Sequence, residues 1–278
     1  MRAMSMATST AVSTATQIAA AAVPELSVEH VSVRFGGLVA IADLNFTVAK
    51  GETVGLIGSN GAGKTTAFNV ITGFQRPSEG HVRYRGTSLN GLKPHEVTTL
   101  GLVRTFQRTS VFPDNTVLEN VLIGLHRTGS ATLWETLLAL PSAAASERML
   151  RGRALEILRL VGIERRASEP AGALPYGDQR LLGVALALAA KPSMLLLDEP
   201  VSGMNASETA RFVGLLNNIR ASGVTILLVE HDMPMVMGVC DRVVVLNHGR
   251  IIAEGSPAAI QSDPDVIRAY LGQGASRA

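Results

Sequence analysis

A glycine-rich segment with one lysine and one threonine is the part of this sequence with the clearest chemistry. Residues 58–65 read Gly-Ser-Asn-Gly-Ala-Gly-Lys-Thr, which matches the phosphate-binding pattern GxxxxGK[ST] in full. An apolar run at 53–57 precedes it and a helix-competent run at 65–71 follows it. A strand, a tight turn and a helix N-terminus in this order would surround phosphate oxygens with backbone N–H groups. We therefore expect the chain to bind a nucleoside triphosphate.

Each residue type in this segment has a predicted role. Lys64 would lie against the β- and γ-phosphates, the Thr65 hydroxyl would bind Mg²⁺, and the glycines would let the backbone curl around the oxygens. A chance glycine-rich turn is the alternative, but the chain has few lysines and the flanking runs fit a strand and a helix. The predicted nucleotide-binding residues of the loop are Gly58, Ser59, Asn60, Gly61, Ala62, Gly63, Lys64, Thr65 and Thr66.

Two adjacent acids follow a buried-strand pattern later in the chain. The residues at 194–197 are all apolar and lead directly into Asp198 and Glu199. A carboxylate at a strand tip beside a phosphate loop suits Mg²⁺, so Asp198 is the predicted metal ligand. Glu199, one residue later, is the predicted general base that polarises the attacking water. The alternative is that the paired acids only mark the solvated end of a strand.

Three other residues are candidates whose roles depend on their surroundings. Gln107 ends an apolar segment, and its neutral amide could contact both Mg²⁺ and water, which makes it a catalytic and metal-binding candidate. His231 closely follows an apolar run, where it could bond to the γ-phosphate or hold Glu199, although a structural histidine is the alternative. Phe35 could stack on a nucleobase, with core packing as the alternative.

The strands that would position these residues belong to a predicted parallel sheet. Apolar runs without polar alternation lie at 194–197, 224–229 and 243–246, and helix-like segments at 206–222 and 233–239 separate them. Strands of this kind, interleaved with helices, are typical of a parallel sheet that is covered on both faces. The sequence therefore predicts an α/β fold.

Two further regions complete the predicted organisation. Alternating apolar residues at 26–33 and 44–48, with a glycine-rich hairpin near 80–86, predict an antiparallel β region. The middle of the chain, about 93–190, has apolar residues at helical spacing and is predicted to be a helical insertion. Its helical patterns cover 116–124, 133–140 and 146–161.

Composition excludes several classes of protein. The net charge of +2, with scattered arginines, gives no basic surface, so we expect no nucleic-acid partner. Mean hydropathy is +0.25, yet the longest apolar stretch, 181–190, is far short of the roughly 20 residues that span a bilayer.

The one cysteine, Cys240, excludes an internal disulfide, favours a cytosolic compartment and is expected in the core. Residues 1–24, rich in Ala, Ser and Thr, are predicted to be a disordered tail.

The segment Leu174-Pro175-Tyr176-Gly177-Asp178-Gln179-Arg180, which precedes a helical run, connects these signals. It resembles the signature motif of the ATP-binding cassette (ABC) family, whose motifs occur in the order found here. They are Gly58–Thr65, Gln107, Leu174–Gln179, Asp198 with Glu199, Ser202–Asn205, and His231. The resemblance covers 25–272, leaving 273–278 as a C-terminal tail. It implies a P-loop NTPase with a RecA-like parallel core, an antiparallel β subdomain and a helical signature subdomain.

In that family two ATP-binding domains clasp ATP between them, head to tail. The resemblance therefore implies that Tyr176, Gly177, Asp178 and Gln179 contact ATP held by the phosphate loop of the partner. Pro175 stands where most members have serine, which predicts weaker signature contacts and slower turnover. Asn205 stands where aspartate is more usual, which affects a polar contact between the two domains.

The sequence looks most similar to the larger ATPase subunit of branched-chain amino acid importers. The shared features are 34–37, the signature variant 176–180, 230–233, and the ending 263–272. The resemblance implies ATP and Mg²⁺ as cofactors, and as partners membrane permeases, a second ATP-binding subunit (a related chain or a second copy) and, indirectly, a periplasmic-type substrate-binding protein. It implies a peripheral location on the cytoplasmic face of the inner membrane, with permease docking near Phe112.

Other functions stay open at this point. Similar subunits serve the uptake of urea, amides or aromatic acids, and a related ATPase serves lipopolysaccharide export. From other classes, the alternatives are an ABC ATPase that acts outside transport and a P-loop kinase that moves the γ-phosphate to a small molecule.

Overall fold

The structure is a computed structural model that describes residues 23–105, 111–126 and 141–271. The first sheet along the chain is antiparallel. Buried and exposed side chains alternate at 44–48, as the sequence pattern predicts, whereas every residue at 26–28 and at 31–33 is buried. The strands of this sheet have the spatial order β2-β1-β4-β5. They are β1 (Leu26–Phe35), β2 (Leu38–Val48), β4 (Glu79–Tyr84) and β5 (Thr87–Ser88).

A second sheet carries the phosphate loop and has the order β10-β9-β3-β8-β7-β6. All of its neighbouring pairs are parallel except β9 with β10. Every residue of its strands β3, β7 and β8 is buried, which explains their unbroken apolar sequences. The strands are β3 (Thr53–Gly58), β6 (Leu102–Arg104), β7 (Met194–Asp198), β8 (Thr225–Val229), β9 (Arg242–Asn247) and β10 (Arg250–Gly255).

Alternate residues along the central strands enter two separate cores. On β7, for example, Leu195 and Leu197 pack with the helices, whereas Met194 and Leu196 pack toward the antiparallel sheet. The described helices are α1 (Lys64–Ile71), α2 (Pro94–Thr99), α3 (Val117–His126), α4 (Pro141–Val161), α5 (Tyr176–Ala189), α6 (Ala206–Ala221), α7 (Met233–Val239), α8 (Pro257–Gln261) and α9 (Pro264–Leu271). Helices α3, α4 and α5 pack on one another as a helical subdomain. Both faces of the parallel sheet are therefore covered, and the predicted α/β fold class is confirmed.

The register of the parallel sheet brings the predicted chemistry to one edge. Asp198, the last residue of β7, lies opposite Val229, the last residue of β8. Val229 in turn lies opposite Leu56 on β3, just before the phosphate loop. Because parallel strands end at the same edge, the segments that begin at Gly58, Glu199 and Glu230 leave the sheet side by side.

The structure differs from the sequence-based prediction at two strands. β6, at Leu102–Arg104, pairs with β7, so the sheet includes residues inside the predicted helical insertion of about 93–190. A three-residue strand is too short to show a period. β10, which pairs with β9, was not predicted because its residues are only partly buried or exposed and its short sequence shows no alternation of apolar and polar residues.

Some predictions cannot be compared with the structure. The predicted helix at 133–140, the C-terminal tail at 273–278 and all but the last two residues of the predicted disordered tail at 1–24 lie outside the described residues. In the parts of the chain that the structure describes, no helix combines the length and apolarity needed to cross a membrane. Cys240 is buried, as expected, and burial raises the pKa of its thiol to about 12.

Candidate active site

The phosphate loop turns sharply between β3 and α1, and its three glycines have backbones that other residues rarely adopt; at two of them a side chain would also collide with the backbone. Gly58 has φ of 154°, and a Cβ there would lie 2.3 Å from the carbonyl oxygen of Leu246. Gly63 has φ of 107°, and a Cβ there would lie 2.9 Å from the carbonyl oxygen of Ala40. These positions require glycine for both conformation and space.

Lys64 is the first residue of α1, and the loop closes around its side chain. Its Nζ donates hydrogen bonds to the carbonyl oxygens of Gly58 at 2.7 Å and Ser59 at 2.9 Å. Burial lowers the pKa of the Lys64 ammonium, while the nearby negative charges of Glu199 and Asp198 oppose that shift. The structure therefore brings together the lysine and both acids that the sequence predicted.

An open cavity of about 500 Å³ lies over the loop. Its predicted members include Asn60, Gly61, Gly63, Lys64, Thr65, Thr66 and Glu199. Sequence reasoning missed its other side, which consists of Leu38, Val39, Ala40 and His248. These residues come from the start of β2 and from the turn between β9 and β10, and neither segment has a motif that would reveal them.

Backbone hydrogen bonds attach that second side to the loop. Gly249 donates its N–H to the carbonyl oxygen of Ala62, and the carbonyl oxygen of Gly249 accepts the N–H of Ala42, both at 2.9 Å. Phe35 is 49% exposed at the end of β1 but is not among the residues that line the cavity. Its predicted stacking on the base stays a prediction.

Asp198 is buried at the tip of β7 and forms an ion pair with an arginine side chain. Arg104, at the end of β6, places Nη2 2.6 Å from Asp198 Oδ2, and both side chains are nearly inaccessible. Arg104 Nη1 also donates to Asn69 Oδ1 of α1 at 2.8 Å. A buried carboxylate with a buried cationic partner shows that this position accommodates a positive charge.

The residues predicted to hold Mg²⁺ fit that ion in chemical type. Asp198 supplies carboxylate oxygens and Thr65 supplies a hydroxyl, and such hard oxygen donors are those that Mg²⁺ prefers. The pairing of Asp198 with the Arg104 guanidinium shows that the carboxylate is placed to meet a cation. Gln107, the third predicted ligand and a predicted catalytic residue, lies outside the described residues.

Glu199 follows Asp198 with a left-handed backbone, φ of 45°. Its N–H donates to the carbonyl oxygen of Val229 at 2.9 Å, which ties this strained residue to the end of β8. The Glu199 side chain lines the cavity and interacts electrostatically with Lys64. This placement suits the predicted general base.

His231 lies after β8, with a side chain that is 57% exposed. Its Nδ1 is 3.9 Å from Oε2 of the neighbouring Glu230, too far for a hydrogen bond. His231 does not line the cavity around Lys64. Its predicted bond to the γ-phosphate stays a prediction.

The signature residues begin α5, away from the cavity lining of their own chain. Tyr176 is 49% exposed, and its hydroxyl accepts hydrogen bonds from Arg180, whose guanidinium also lies over the ring. Asp178 forms ion pairs with Arg166 at 2.8 Å and with Arg211 at 3.1 Å.

The other two signature residues also contact their own chain. Gln179 Nε2 donates to the carbonyl oxygen of Leu174 at 2.9 Å. A Cβ at Gly177 would lie 2.6 Å from Glu208 Oε1, so α5 and α6 approach closely at that residue. The side chains of Asp178 and Gln179 therefore support the subdomain, and their predicted contacts to ATP stay predictions.

A phosphate loop at the end of β3, with an acid at the tip of β7, which is separated from β3 by β8 in the same parallel sheet, defines a P-loop nucleotide-binding protein. Comparison with known families is more specific. Residues 41–202 match the family model described as ABC transporter, and 250–276 match that of the branched-chain amino acid ATP-binding cassette transporter. The chain belongs to the ABC transporter family, as the sequence predicted.

Curated relatives are similar over nearly their whole length. The chain is 43% identical to the high-affinity branched-chain amino acid transport ATP-binding protein LivG of Escherichia coli (strain K12), over 90% of this chain and 98% of that protein. It is 41% identical to the corresponding protein BraF of Pseudomonas aeruginosa, over the same shares. These matches confirm the predicted resemblance to ATPase subunits of branched-chain amino acid importers.

Solved structures agree with the fold. The ADP conformation of an ATP-binding cassette of an ABC transporter superposes with a TM-score of 0.79 at 32% identity, over 90% of this chain and 99% of that one. A dimeric post-hydrolysis cassette bound to ADP and Pi superposes with a TM-score of 0.71 at 26% identity, over 84% and 98%. The predicted P-loop cassette fold is confirmed.

Proposed function

We propose that this protein is the ATP-hydrolysing subunit of an importer of branched-chain amino acids. The observation that carries this proposal is the cavity that joins the phosphate loop, Lys64 and Glu199, in a chain similar to LivG and BraF along nearly its whole length. The match of 250–276 to the branched-chain amino acid model supports the substrate class. In this proposal the protein lies on the cytoplasmic face of the membrane, against permease subunits.

The loop binds the triphosphate with groups that are already in place. Backbone N–H groups of the loop and of the first turn of α1 point toward the phosphates, and the helix dipole favours their negative charge. Lys64, which bonds to Gly58 and Ser59, adds a fixed positive charge. Glu199 then orients a water molecule for attack on the γ-phosphate and accepts its proton.

Thr65 and Asp198 are the residues that would hold Mg²⁺. Bound there, the ion would neutralise charge on the β- and γ-phosphates. In that role Asp198 would share its carboxylate between the ion and Arg104, which also donates to Asn69.

A second ATP-binding subunit completes each site. Tyr176 and the N-terminus of α5 do not line the cavity of their own chain, and Tyr176 is exposed. The start of α5 is therefore available to cover a nucleotide in a partner, which is either a related subunit or another copy. Closure on ATP and opening after hydrolysis would transmit work to the permeases, and a periplasmic-type binding protein would deliver the substrate.

Phe112 is the proposed contact for a permease. Its ring is 52% exposed, while its backbone is held by Asn120, which accepts the Phe112 N–H at 2.8 Å and donates to its carbonyl oxygen at 3.0 Å. An exposed aromatic side chain on a held backbone suits a docking surface.

Family membership favours transport over a P-loop kinase or a non-transport ABC ATPase. Urea, amides, aromatic acids and lipopolysaccharide stay as alternative substrates.

The first prediction concerns Lys64. Purified protein should release free phosphate from MgATP, and Lys64→Ala should lower kcat/KM by about 10²-fold or more, because the variant loses the cation at the phosphates. Lys50→Ala is the matched control, since Lys50 is the exposed lysine just before the loop strand β3. Equal hydrolysis by Lys64→Ala, or transfer of phosphate to an organic acceptor, would refute the proposal.

The substrate class needs the assembled transporter. With its permeases in vesicles, ATP hydrolysis should be stimulated by a binding protein loaded with leucine and not by one loaded with urea. Stimulation by urea alone would leave the ATPase assignment intact and replace the substrate.

A further inference from the structure

Glu230 is a buried acid beside the site that the proposed mechanism does not use. Glu230 and Glu25 are the two buried glutamates among the described residues, and Glu230 has no exposed surface. It follows β8 directly. Ionised carboxylates are rarely left without solvent unless several donors surround them.

The donors here are three backbone N–H groups from two segments of the chain. Glu230 Oε1 accepts the N–H of Val201 at 3.1 Å. Its Oε2 accepts the N–H of His231 at 3.0 Å and that of Asp232 at 3.3 Å. Burial raises the pKa of Glu230, and these hydrogen bonds oppose that shift.

The two segments are those that carry the proposed catalytic residues. Val201 lies two residues after Glu199, and His231 is itself one of the bonded residues. Glu199 is already joined to the end of β8 through Val229. The Glu230 carboxylate adds a second link between the segment after β8 and the segment after β7. The two segments are therefore held to each other at two points.

We propose that Glu230 is a positioning residue that fixes Glu199 and His231 relative to each other through the backbones of Val201, His231 and Asp232. This inference rests on the proposed ATPase function. It assigns Glu230 no contact with ATP. A glutamate suits this position because both of its oxygens accept hydrogen bonds, whereas an amide or an aliphatic side chain leaves at least one N–H group unsatisfied.

Glu230→Gln in the full-length protein tests the proposal. The glutamine keeps one acceptor oxygen, so it can serve Val201 or the His231 segment but not both. We expect kcat for MgATP hydrolysis to fall by about tenfold or more, with nucleotide affinity changed by less than about twofold. Glu25→Gln is the matched control, because Glu25 is also buried but bonds to Tyr84 and Arg85 in the antiparallel sheet.

A double-mutant cycle separates positioning from simple loss of stability. Because Glu230 is proposed to fix Glu199 and His231 relative to each other, Glu230→Gln should lower kcat by a smaller factor in a His231→Ala background than in the wild type, since one of the two groups that it aligns is already absent. Full additivity in this cycle, or a kcat for Glu230→Gln equal to that of Glu25→Gln, would overturn the proposal. If Lys64→Ala hydrolyses ATP normally, the proposed function itself is wrong, and the two failures are distinguishable.

Hydrogen exchange keeps the proposal testable should Glu230→Gln fail to fold. In the unmodified protein the amides of Val201 and His231 should be protected and should open together, because one carboxylate holds both. Exchange at either amide as fast as that of an exposed loop would rule out the bridge.

Discussion

Glu199 has a conformation that the local sequence does not favour. A non-glycine residue with φ of 45° costs roughly 1–3 kcal/mol and persists only where its surroundings enforce it. Here the enforcing contacts are the Glu199 N–H bond to Val229 and the neighbouring attachment of Val201 to Glu230. The carboxylate consequently projects into the cavity beside Lys64. The strain is located where a water molecule must be oriented.

Replacement of Glu199 by glutamine should separate ATP binding from hydrolysis. The amide occupies the same space but does not accept a proton, so hydrolysis should fall by about 10²- to 10⁴-fold. MgATP binding should persist, and ATP-bound dimers should accumulate because the bridging nucleotide is not removed. Phosphate release and light scattering measure the two effects. Near-normal turnover in Glu199→Gln would remove Glu199 from the role of base.

Single residues also show which positions in the fold the local sequence indicates. The positions of Lys64 and Thr65 at the start of α1 and of Asp198 at a strand tip were predictable because a short motif or an apolar run contains the whole signal, and their roles stay predictions. Arg104 and Glu230 were not predictable, because their partners are distant in the chain or are backbone atoms. The Arg104–Asp198 pair joins residues separated by 94 positions, and no local pattern indicates it.

At the scale of elements, the N-terminus of α5 has no side-chain cap. Pro175 is the N-cap residue, with φ of −54° and ψ of 152°, and its side chain makes no capping hydrogen bond. The N-cap of α6 is complete, because Asn205 accepts the N–H groups of Ser207 and Glu208, both at 3.0 Å. Asparagine caps a helix about as well as aspartate, so the change at Asn205 does not weaken α6 itself.

Pro175→Ser should therefore raise the rate of ATP hydrolysis in the assembled transporter. Serine restores a hydroxyl at the tip of α5, and one added hydrogen bond of this kind corresponds to roughly 2- to 10-fold in rate. Pro170→Ser is a matched control, because Pro170 is the N-cap of a 3₁₀ turn in the same subdomain and has a similar backbone, with φ of −59° and ψ of 133°. Unchanged or lower activity of Pro175→Ser would contradict the prediction.

A strand could be predicted where its burial produces a recognisable pattern of apolar residues in the sequence. β7 and β8 are buried on both faces and read as continuous apolar runs. β10 is half-buried and β6 has three residues, so neither has a readable pattern. The cavity wall at 38–40 and His248 could not be predicted, since it exists only after the turn at Gly249 bonds to Ala42 and Ala62.

At the scale of the whole molecule, the predicted signature residues lie outside the phosphate-loop cavity of their own chain. The phosphate loop and Glu199 line the cavity, whereas the exposed Tyr176 at the start of α5 does not. If each site combines one half from each of two protomers, damage to different halves should be complemented by mixing. If one chain works alone, mixing should restore nothing.

The two variants for this experiment are Lys64→Ala and Tyr176→Glu. A glutamate at the first position of α5 favours the helix, since it complements the helix dipole, but it repels the γ-phosphate of a nucleotide in the partner. Each variant alone should hydrolyse ATP slowly. In an equal mixture about half of the dimers carry one intact composite site, so activity should recover to roughly a quarter of the wild-type rate.

A third protein makes the result decisive. A chain with both substitutions, mixed with wild type, places both defects in the same protomer and damages one half of each composite site in every mixed dimer. That mixture should therefore show only the activity of its wild-type dimers. About a quarter of the wild-type rate in both mixtures establishes that the start of α5 acts on a nucleotide held by another protomer. No recovery by Lys64→Ala with Tyr176→Glu, together with about half of the wild-type rate in this mixture, would place the complete site within one chain.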